Sequence, residues 1–387
     1  VKEGATSRRG VERPLGLAFL GDPNSVHMRR WMGYFSDRGY RVTLLLPEDR
    51  PAPDLPPAIS VERFVPFSRQ RKRPWGALEA RRSLTGLLRR LEPDVLHAHY
   101  VTGNAWHAWL SGFHPYVVTV WGSDVLAAGR RSRRGRLYAR LALRAADIVT
   151  GGSEHLIRAA VAAGARPERT EYVHFGVDTA RFAPGPDPIA LRARLDLGGR
   201  RVLLSNRIIA PLYRQIVVVQ ALARLPADVV AVMTRHHAQP DEVAAVEREA
   251  RALGVADRLR IVETLDEADL PDLYRLADVV VSIPASDGGP VTVVEALSSG
   301  RPVVATDLPS LREWLLDLDP AGLVPVDDAA ATATAVEAVL SRKREERDER
   351  AARSRAAVVA RADWRASMEH MEQLYRNLAA SRRGGSI

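Results

Sequence analysis

The sequence predicts an α/β protein of two Rossmann-like, doubly wound domains, each a parallel sheet with helices on both faces. Three observations carry that expectation. Short, nearly continuous apolar runs alternate with longer helical patterns, which is how strands buried on both faces read. The alternation breaks once, at "FGVDTARFAPGPDP" (175–188), and then restarts. A chain of 387 residues also exceeds one typical core, at roughly 100–200 residues per domain.

The first strand series runs "LGLAFL" (15–20), "RVTLLL" (41–46), "ISVERFV" (59–65), "DVLHAH" (94–99), "YVVTV" (116–120), "DIVTG" (147–151) and "TEYVH" (170–174). The break at 175–188 holds two glycines and three prolines without a sustained period, so it reads as a linker. The second series runs "RVLLS" (201–205), "DVVAVM" (228–233), "LRIVE" (259–263), "DVVVS" (278–282), "PVVA" (302–305) and "GLVP" (322–325). In the tail, 361–381, Trp364, Met368, Met371 and Leu374 recur at helical spacing and predict a helix that must cover something. The expected division is a disordered arm (1–14), an N-terminal domain (15–183), a C-terminal domain (184–360) and a closing helix (361–381). Open sheets of this kind bind ligands beyond the carboxyl ends of their strands, so two of them predict a site in the cleft they face.

Composition narrows the partners. Apolar residues make up 46% and charged residues 27%, a globular balance. No cysteine is present, which removes disulfides and thiolate metal sites and makes the cytoplasm the default address. The N-terminal apolar run is six residues long and is followed by charge, unlike a signal peptide. No apolar stretch reaches the roughly 18–20 residues of a membrane span, so membrane contact is expected to be peripheral at most. Residues 1–183 carry 29 Lys and Arg against 17 Asp and Glu, and the remainder 27 against 30. This basic front half suits anionic lipid, a phosphorylated ligand or nucleic acid. Its two basic runs are "SRQRKRPW" (68–75) and "GRRSRRGRLYARLALR" (129–144). The second continues into Leu137, Tyr138, Leu141 and Leu143, and reads either as a solvated arginine face or as a peripheral contact with an anionic membrane. No aromatic platform accompanies it, so no nucleic acid is expected.

The chemistry concentrates in "SDGGPVTVVEALSSGRPVVATD" (286–307), where Glu295 is the only charge between Asp287 and Arg301. Gly288 and Gly289 allow close backbone approach, Pro290 suits a first helical residue, and Gly300 suits the stop. The helix N-terminus would offer N–H donors to a phosphate or polyol. Glu295 either accepts two vicinal hydroxyls, as a ribose presents, or turns to solvent or a cation. His27, His97 and His99 form a second cluster. The last two share a strand face, as a metal pair would, but no carboxylate or cysteine partner is visible, so polar lining is expected and no metal. "DLD" (317–319) lies at a helix end and is not expected to hold a metal either. No G-x-G-x-x-G after a strand, no G-x-x-x-x-G-K-[ST] and no G-x-S-x-G is present.

The 286–315 stretch resembles the signature of retaining, family-4 type glycosyltransferases of the GT-B fold, and the likeness extends along most of the chain. "GDPNSVHMRRWMGYFSDRGYRVTLL" looks like that family's first β-α-β unit, "PDVLHAHY" like its strand opposite the donor, "VVTVWGSDV" like its cleft-facing loop, "GVDTARFAP" like its linker, and "LSNRIIAPLYRQIVVVQAL" like its donor-phosphate loop. The resemblance implies that Glu295 meets the ribose, while Asp287 and the amides of Gly288 and Gly289, with Pro290, face the transferred sugar. Arg207, with Arg214, would take the diphosphate, and Gly21 would lie beside the donor. Asp287 stands where the commoner form has Glu, and Trp121 where many members have a sugar-contacting His. Asp124 would then take part of that polar role, making Asp124, Asp287 and Arg207 the catalytic set and His27, His99 and Trp121 the acceptor side.

A diphosphate leaving group develops negative charge, which fixed cations and helix N-termini stabilise without a metal. The expected function is metal-independent, retaining transfer of a sugar from a UDP- or GDP-sugar to an acceptor hydroxyl, with no cofactor. The alternatives are a sugar-nucleotide epimerase or hydrolase of the same fold, or a non-catalytic sugar-nucleotide or membrane-surface binding protein.

Overall fold

The structure, a computed structural model, describes residues 13–51, 54–67, 75–127, 132–263 and 267–384. The arm expected at 1–14 therefore lies almost wholly outside the described residues, as do 68–74 of the first basic run and 129–131 of the second.

Among the described residues, thirteen strands form two sheets, and each falls on a run expected from the sequence. The first sheet comprises β1 (Gly16–Leu20), β2 (Arg41–Pro47), β3 (Ile59–Phe64), β4 (Val95–His99), β5 (Tyr116–Val120), β6 (Ile148–Gly151) and β7 (Thr170–Tyr172), in the order β3-β2-β1-β4-β5-β6-β7. The second comprises β8 (Arg201–Ser205), β9 (Val229–Thr234), β10 (Leu259–Val262), β11 (Val279–Ser282), β12 (Val303–Thr306) and β13 (Leu323–Val324), in the order β10-β9-β8-β11-β12-β13. The ladders on both sides of β1 and of β8 are parallel. Strand order therefore reverses between β1 and β4 and again between β8 and β11. Ligands of doubly wound sheets bind at such switch points.

The second sheet shows why its strands read as unbroken apolar runs. Val202, Leu204, Val230 and Val232 belong to the core on one face, while Leu203, Val229, Ala231 and Met233 belong to the core on the other. Alternate side chains point to opposite faces, so a strand covered twice must be apolar throughout. Each fully buried Val or Leu contributes about 1.5–3 kcal/mol.

By contacts the chain divides into a first unit, Val1–Thr150, Ala159–Glu171 and Met371–Ile387, and a second, Gly151–Arg158 and Tyr172–His370. The expected division at 183/184 falls inside packing that belongs to the second unit. Phe182 and Val177 are buried in its core, and the Val177 N–H donates to the Ala362 carbonyl (2.8 Å).

That same strand-like contact breaks the tail helix. Helix Arg344–Ala362 ends at Asp363, and a new helix, Trp364–Gly384, begins. The Trp364 N–H is donated to the Val177 carbonyl (2.9 Å), while the Asp363 carboxylate accepts from Thr179 Oγ1 (2.6 Å) and the Ala366 N–H (3.1 Å). Gly176, at φ +78°, passes so close that a Cβ there would lie 2.7 Å from Trp364 Cα. Met368, Met371 and Leu374 are buried as their spacing predicts.

The second basic run becomes helix Arg133–Ala145. Part of its apolar side is covered by protein. Leu143 is buried, and Tyr138 stacks edge-on against Trp106 with centroids 3.7 Å apart. Leu137 stays exposed, among Arg133, Arg134, Arg136, Arg140 and Arg144. Among the described residues, no helix is long and apolar enough to cross a membrane.

Candidate functional site

In the second unit, the loops after β8 and β11 bring Arg207 and Asp287 together. Arg207 Nη2 lies 3.0 Å from Asp287 Oδ2, and both side chains are largely buried, at 11% and 6% exposure. Asp287 Oδ2 has no hydrogen-bond donor, so the contact is an ion pair. The guanidinium also lies over the Tyr213 ring, 4.4 Å from its centroid. A cation held between a carboxylate and an aromatic face is pre-aimed. Its Nε and Nη1 have no partner among the described residues. From below, Gln215 Nε2 donates to the Arg207 carbonyl (3.0 Å) and Ser205 Oγ donates to Gln215 Oε1 (2.8 Å), which fixes the loop.

Asp287 also closes a local turn. Its Oδ1 accepts the Gly289 N–H (3.1 Å), so that amide is engaged within the loop, where the resemblance implied a sugar contact. Ser153 Oγ donates to the Gly288 carbonyl (2.7 Å) and Ser310 Oγ to the Asp287 carbonyl (2.8 Å). Gly289 is required by space: a Cβ would meet Phe175 Cε2 at 2.8 Å. Pro290 caps the following helix, Val291–Ser298, rather than opening it, and Gly300 turns the chain beyond it at φ +70°.

Glu295 is braced from behind. The buried Tyr274 hydroxyl donates to Glu295 Oε2 (2.7 Å), Asn206 Nδ2 donates to the Tyr274 oxygen (3.2 Å), and Thr234 Oγ1 donates to Asn206 Oδ1 (2.9 Å). Burial, then the charge of Glu295, pushes the Tyr274 phenol well above its usual range, so it stays a donor. Tyr274 and Asn206 escaped the sequence reading. Asn206 had a signal, since it directly precedes Arg207 at the end of β8, but Tyr274 arrives from a helix 21 residues earlier than Glu295 and only folding reveals the pair. Arg214, expected beside Arg207, instead places its Nε 2.8 Å from Asp327 Oδ1 and donates through Nη1 to the Pro211 carbonyl (2.9 Å).

In the first unit, the ends of β1, β4 and β5 gather His27, His99 and Trp121. The His27 and His99 rings lie 5.3 and 5.7 Å from the Trp121 ring. His99 is 3% exposed and meets Trp31 edge-on, yet neither of its ring nitrogens has a hydrogen-bond partner among the described residues. An imidazole carries at least one donor and one acceptor, so this group is chemically unfinished. Burial, with the charge of His27 beside it, lowers its pKa to about 3; burial and Arg30 lower that of His27 to about 4. His97 is finished: Tyr375 and Thr119 (2.7 Å) take its two nitrogens, which leaves it no lone pair for a metal.

Asp124, which the resemblance placed in the polar role at the sugar, is fully buried and engaged by the backbone. Its Oδ1 accepts the N–H groups of Trp121 (3.0 Å) and Gly122 (2.8 Å), and its Oδ2 that of Val101 (3.0 Å). It ties the loop after β5 to the loop after β4, a positioning role. Gly21 lies against Met28 at the end of β1, in the first unit, whereas Arg207 and Asp287 belong to the second. Asp319 of "DLD" is paired with Arg342 (2.5 Å) and Arg350 (3.2 Å), a structural use of the acid.

Two family models match the chain: Glycosyl transferase 4-like over residues 16–153, and Glycosyl transferases group 1 over 191–357. The D-inositol 3-phosphate glycosyltransferase of Geodermatophilus obscurus is 36% identical over 192 residues, 46% of this chain and 42% of that protein. That of Mycobacterium bovis is 31% identical over 235 residues, 58% of this chain and 48% of that protein. The chain thus spans less than half the length of these relatives. Among solved structures, Anabaena Alr3699/HepE in complex with UDP superposes with a TM-score of 0.77 at 21% identity, covering 94% of this chain and 100% of that one. Sucrose-phosphate synthase from Thermosynechococcus elongatus gives 0.80 at 18% identity, covering 95% and 100%.

Proposed function

From a chain that belongs to the group 1 glycosyltransferases, with their two-domain GT-B fold, we propose a sugar transferase that takes a nucleoside-diphosphate sugar in its second unit and an acceptor in its first. The observation that carries this is Arg207, held at the switch point of the second sheet by Asp287 and Tyr213, with two nitrogens still to donate. Those donors suit the oxygens of a diphosphate. Glu295, fixed by Tyr274, takes the ribose hydroxyls, and Asp287 faces the sugar.

As the sugar–diphosphate bond breaks, negative charge grows on the leaving group, and Arg207 stabilises it more than it does the ground state. Because a protein cation supplies this charge, the reaction proceeds without a metal. The acceptor hydroxyl attacks the anomeric carbon from the face the diphosphate leaves and passes its proton to the departing diphosphate oxygen, with retention of configuration. In the first unit, the unfinished His99 imidazole and Trp121 bind acceptor hydroxyls. The arginine face of helix Arg133–Ala145 contacts an anionic membrane surface. That Alr3699/HepE binds UDP-glucose supports a UDP-sugar as donor.

The test is a thermal-shift panel of nucleoside diphosphates and their sugars, followed by donor turnover watched by NMR. A rise in melting temperature with one nucleotide, and product of unchanged anomeric configuration formed only with acceptor, is the expected result. Sugar epimerisation without acceptor would assign an epimerase instead. Tight binding without nucleotide release under any acceptor would assign a binding protein.

A further inference from the structure

The carboxylate that aims Arg207 is itself aimed by a single peptide unit. In a planar trans peptide the C=O and N–H point in opposite directions, so fixing one end fixes the other. Between Gly288 and Gly289 both ends are held: the Gly288 carbonyl accepts from Ser153 Oγ (2.7 Å), and the Gly289 N–H donates to Asp287 Oδ1 (3.1 Å). The other oxygen, Asp287 Oδ2, meets Arg207 Nη2 at 3.0 Å. With a glycine on either side, this peptide plane would otherwise turn cheaply.

Ser153 is placed to hold it. The side chain is 1% exposed, its one hydroxyl proton goes to Gly288, and its oxygen accepts the Leu156 N–H (3.0 Å), so the hydroxyl is not free to rotate. The segment that carries it, Gly151–Arg158, belongs to the second unit. Helix Pro309–Leu318 anchors both that segment and the donor loop. Glu313 accepts the N–H groups of Glu154 (3.0 Å) and His155 (2.7 Å), and one turn earlier Ser310 Oγ donates to the Asp287 carbonyl (2.8 Å). Hydrogen bonds therefore close a ring, from the helix through Glu313, Ser153 and Gly288 to Asp287, and back through Ser310. Phe175 packs against the same two strips of backbone: a Cβ on Gly152 or on Gly289 would meet its Cε2 at 2.9 or 2.8 Å.

We propose that Ser153 is a positioning residue for the leaving group: through the Gly288–Gly289 peptide it turns Asp287, and Asp287 turns Arg207. This rests on the donor reading above, in which Arg207 takes the diphosphate. Without the Ser153 hydroxyl the peptide turns, the Gly289 N–H leaves Asp287 Oδ1, and the guanidinium is no longer clamped between the carboxylate and the Tyr213 ring. Binding of the diphosphate then loses the aimed cation while the cation itself remains in the chain.

The experiment is a double-mutant cycle on the full chain, read by calorimetric titration with UDP and with GDP. A released nucleoside diphosphate carries in full the charge that Arg207 stabilises, so its Kd reports how well the guanidinium is aimed. Ser153→Ala should weaken nucleotide binding about fivefold to tenfold in the parent chain, and less than about twofold in a chain already carrying Arg207→Ala. Equal loss in both backgrounds, or no loss in the parent, overturns the proposal. Should Ser153→Ala fail to fold, Ser153→Gly removes the hydroxyl at little cost to a helix start and runs the same cycle to the same two outcomes. Binding weakened by Arg207→Ala and untouched by the loss of the Ser153 hydroxyl overturns this proposal alone. A parent chain that binds neither nucleotide removes the donor reading and this proposal with it.

Discussion

Glu295 is one methylene longer than the aspartate eight positions before it, and its surroundings give it a different task. Tyr274 donates to Glu295 Oε2 from the buried side and so fixes how the carboxylate is turned. Tyr274→Phe removes one hydrogen bond to a charged group, worth about 1.5–3 kcal/mol, and should raise the KM for nucleotide sugar about tenfold or more with kcat nearly kept. Glu295→Gln keeps the shape and loses the charge, so it should do the same or more; an unchanged KM in both would remove the ribose role. Arg207→Ala should instead lower kcat, by about 3 kcal/mol of transition-state stabilisation, and single-turnover kinetics separates the two effects. Glu295 was conspicuous in the sequence because a charge inside an apolar helix invites a reason. Its brace was not, since the side chain that orients it is distant in the chain.

Loops at strand ends are where these residues acquire geometry. Gly289 lies against Phe175, so Gly289→Ala must displace the ring, and overpacking of that kind costs about 1–3 kcal/mol. Phe175→Leu in the same chain should recover part of the loss in melting temperature and in turnover; strict additivity of the two substitutions would show that the contact is not the cause. Asp124→Ala leaves three backbone N–H groups without an acceptor, and each of the two buried ones, of Gly122 and Val101, is worth about 1–3 kcal/mol. A melting temperature lowered by several degrees is expected, together with lost acceptor affinity; loss of kcat with stability intact would instead return Asp124 to the chemistry. The helix at 133–145 teaches a related lesson. Its apolar spacing was legible, but spacing alone does not say whether protein or lipid covers that face, and here Trp106 does.

At the scale of the molecule, buried imidazoles set a limit on acid stability. His27, His97 and His99 all have folded pKa values below 6.5, pushed down first by burial, those of His27 and His99 to about 4 and about 3. The unfolded chain therefore takes protons that the folded chain refuses as pH falls from 6.5, and stability is full above that value and declines toward pH 4. Each fully buried imidazole costs up to about 2 kcal/mol near pH 5. His99→Phe should flatten the melting profile between pH 7 and 5, and an unaltered slope would show that His99 protonates freely. The sequence by itself determined the thirteen strands, their division into two doubly wound series and the two loops that hold Arg207 and Asp287. It did so because a strand covered on both faces must be apolar throughout and a ligand loop must follow a strand's carboxyl end. The tertiary structure alone decided that Asp124 serves backbone amides, that Arg214 turns to Asp327, that Tyr274 stands behind Glu295 and that Val177 cuts the tail helix at Asp363. Each of these is a contact between groups far apart in the chain or free to turn either way, so no local pattern records it.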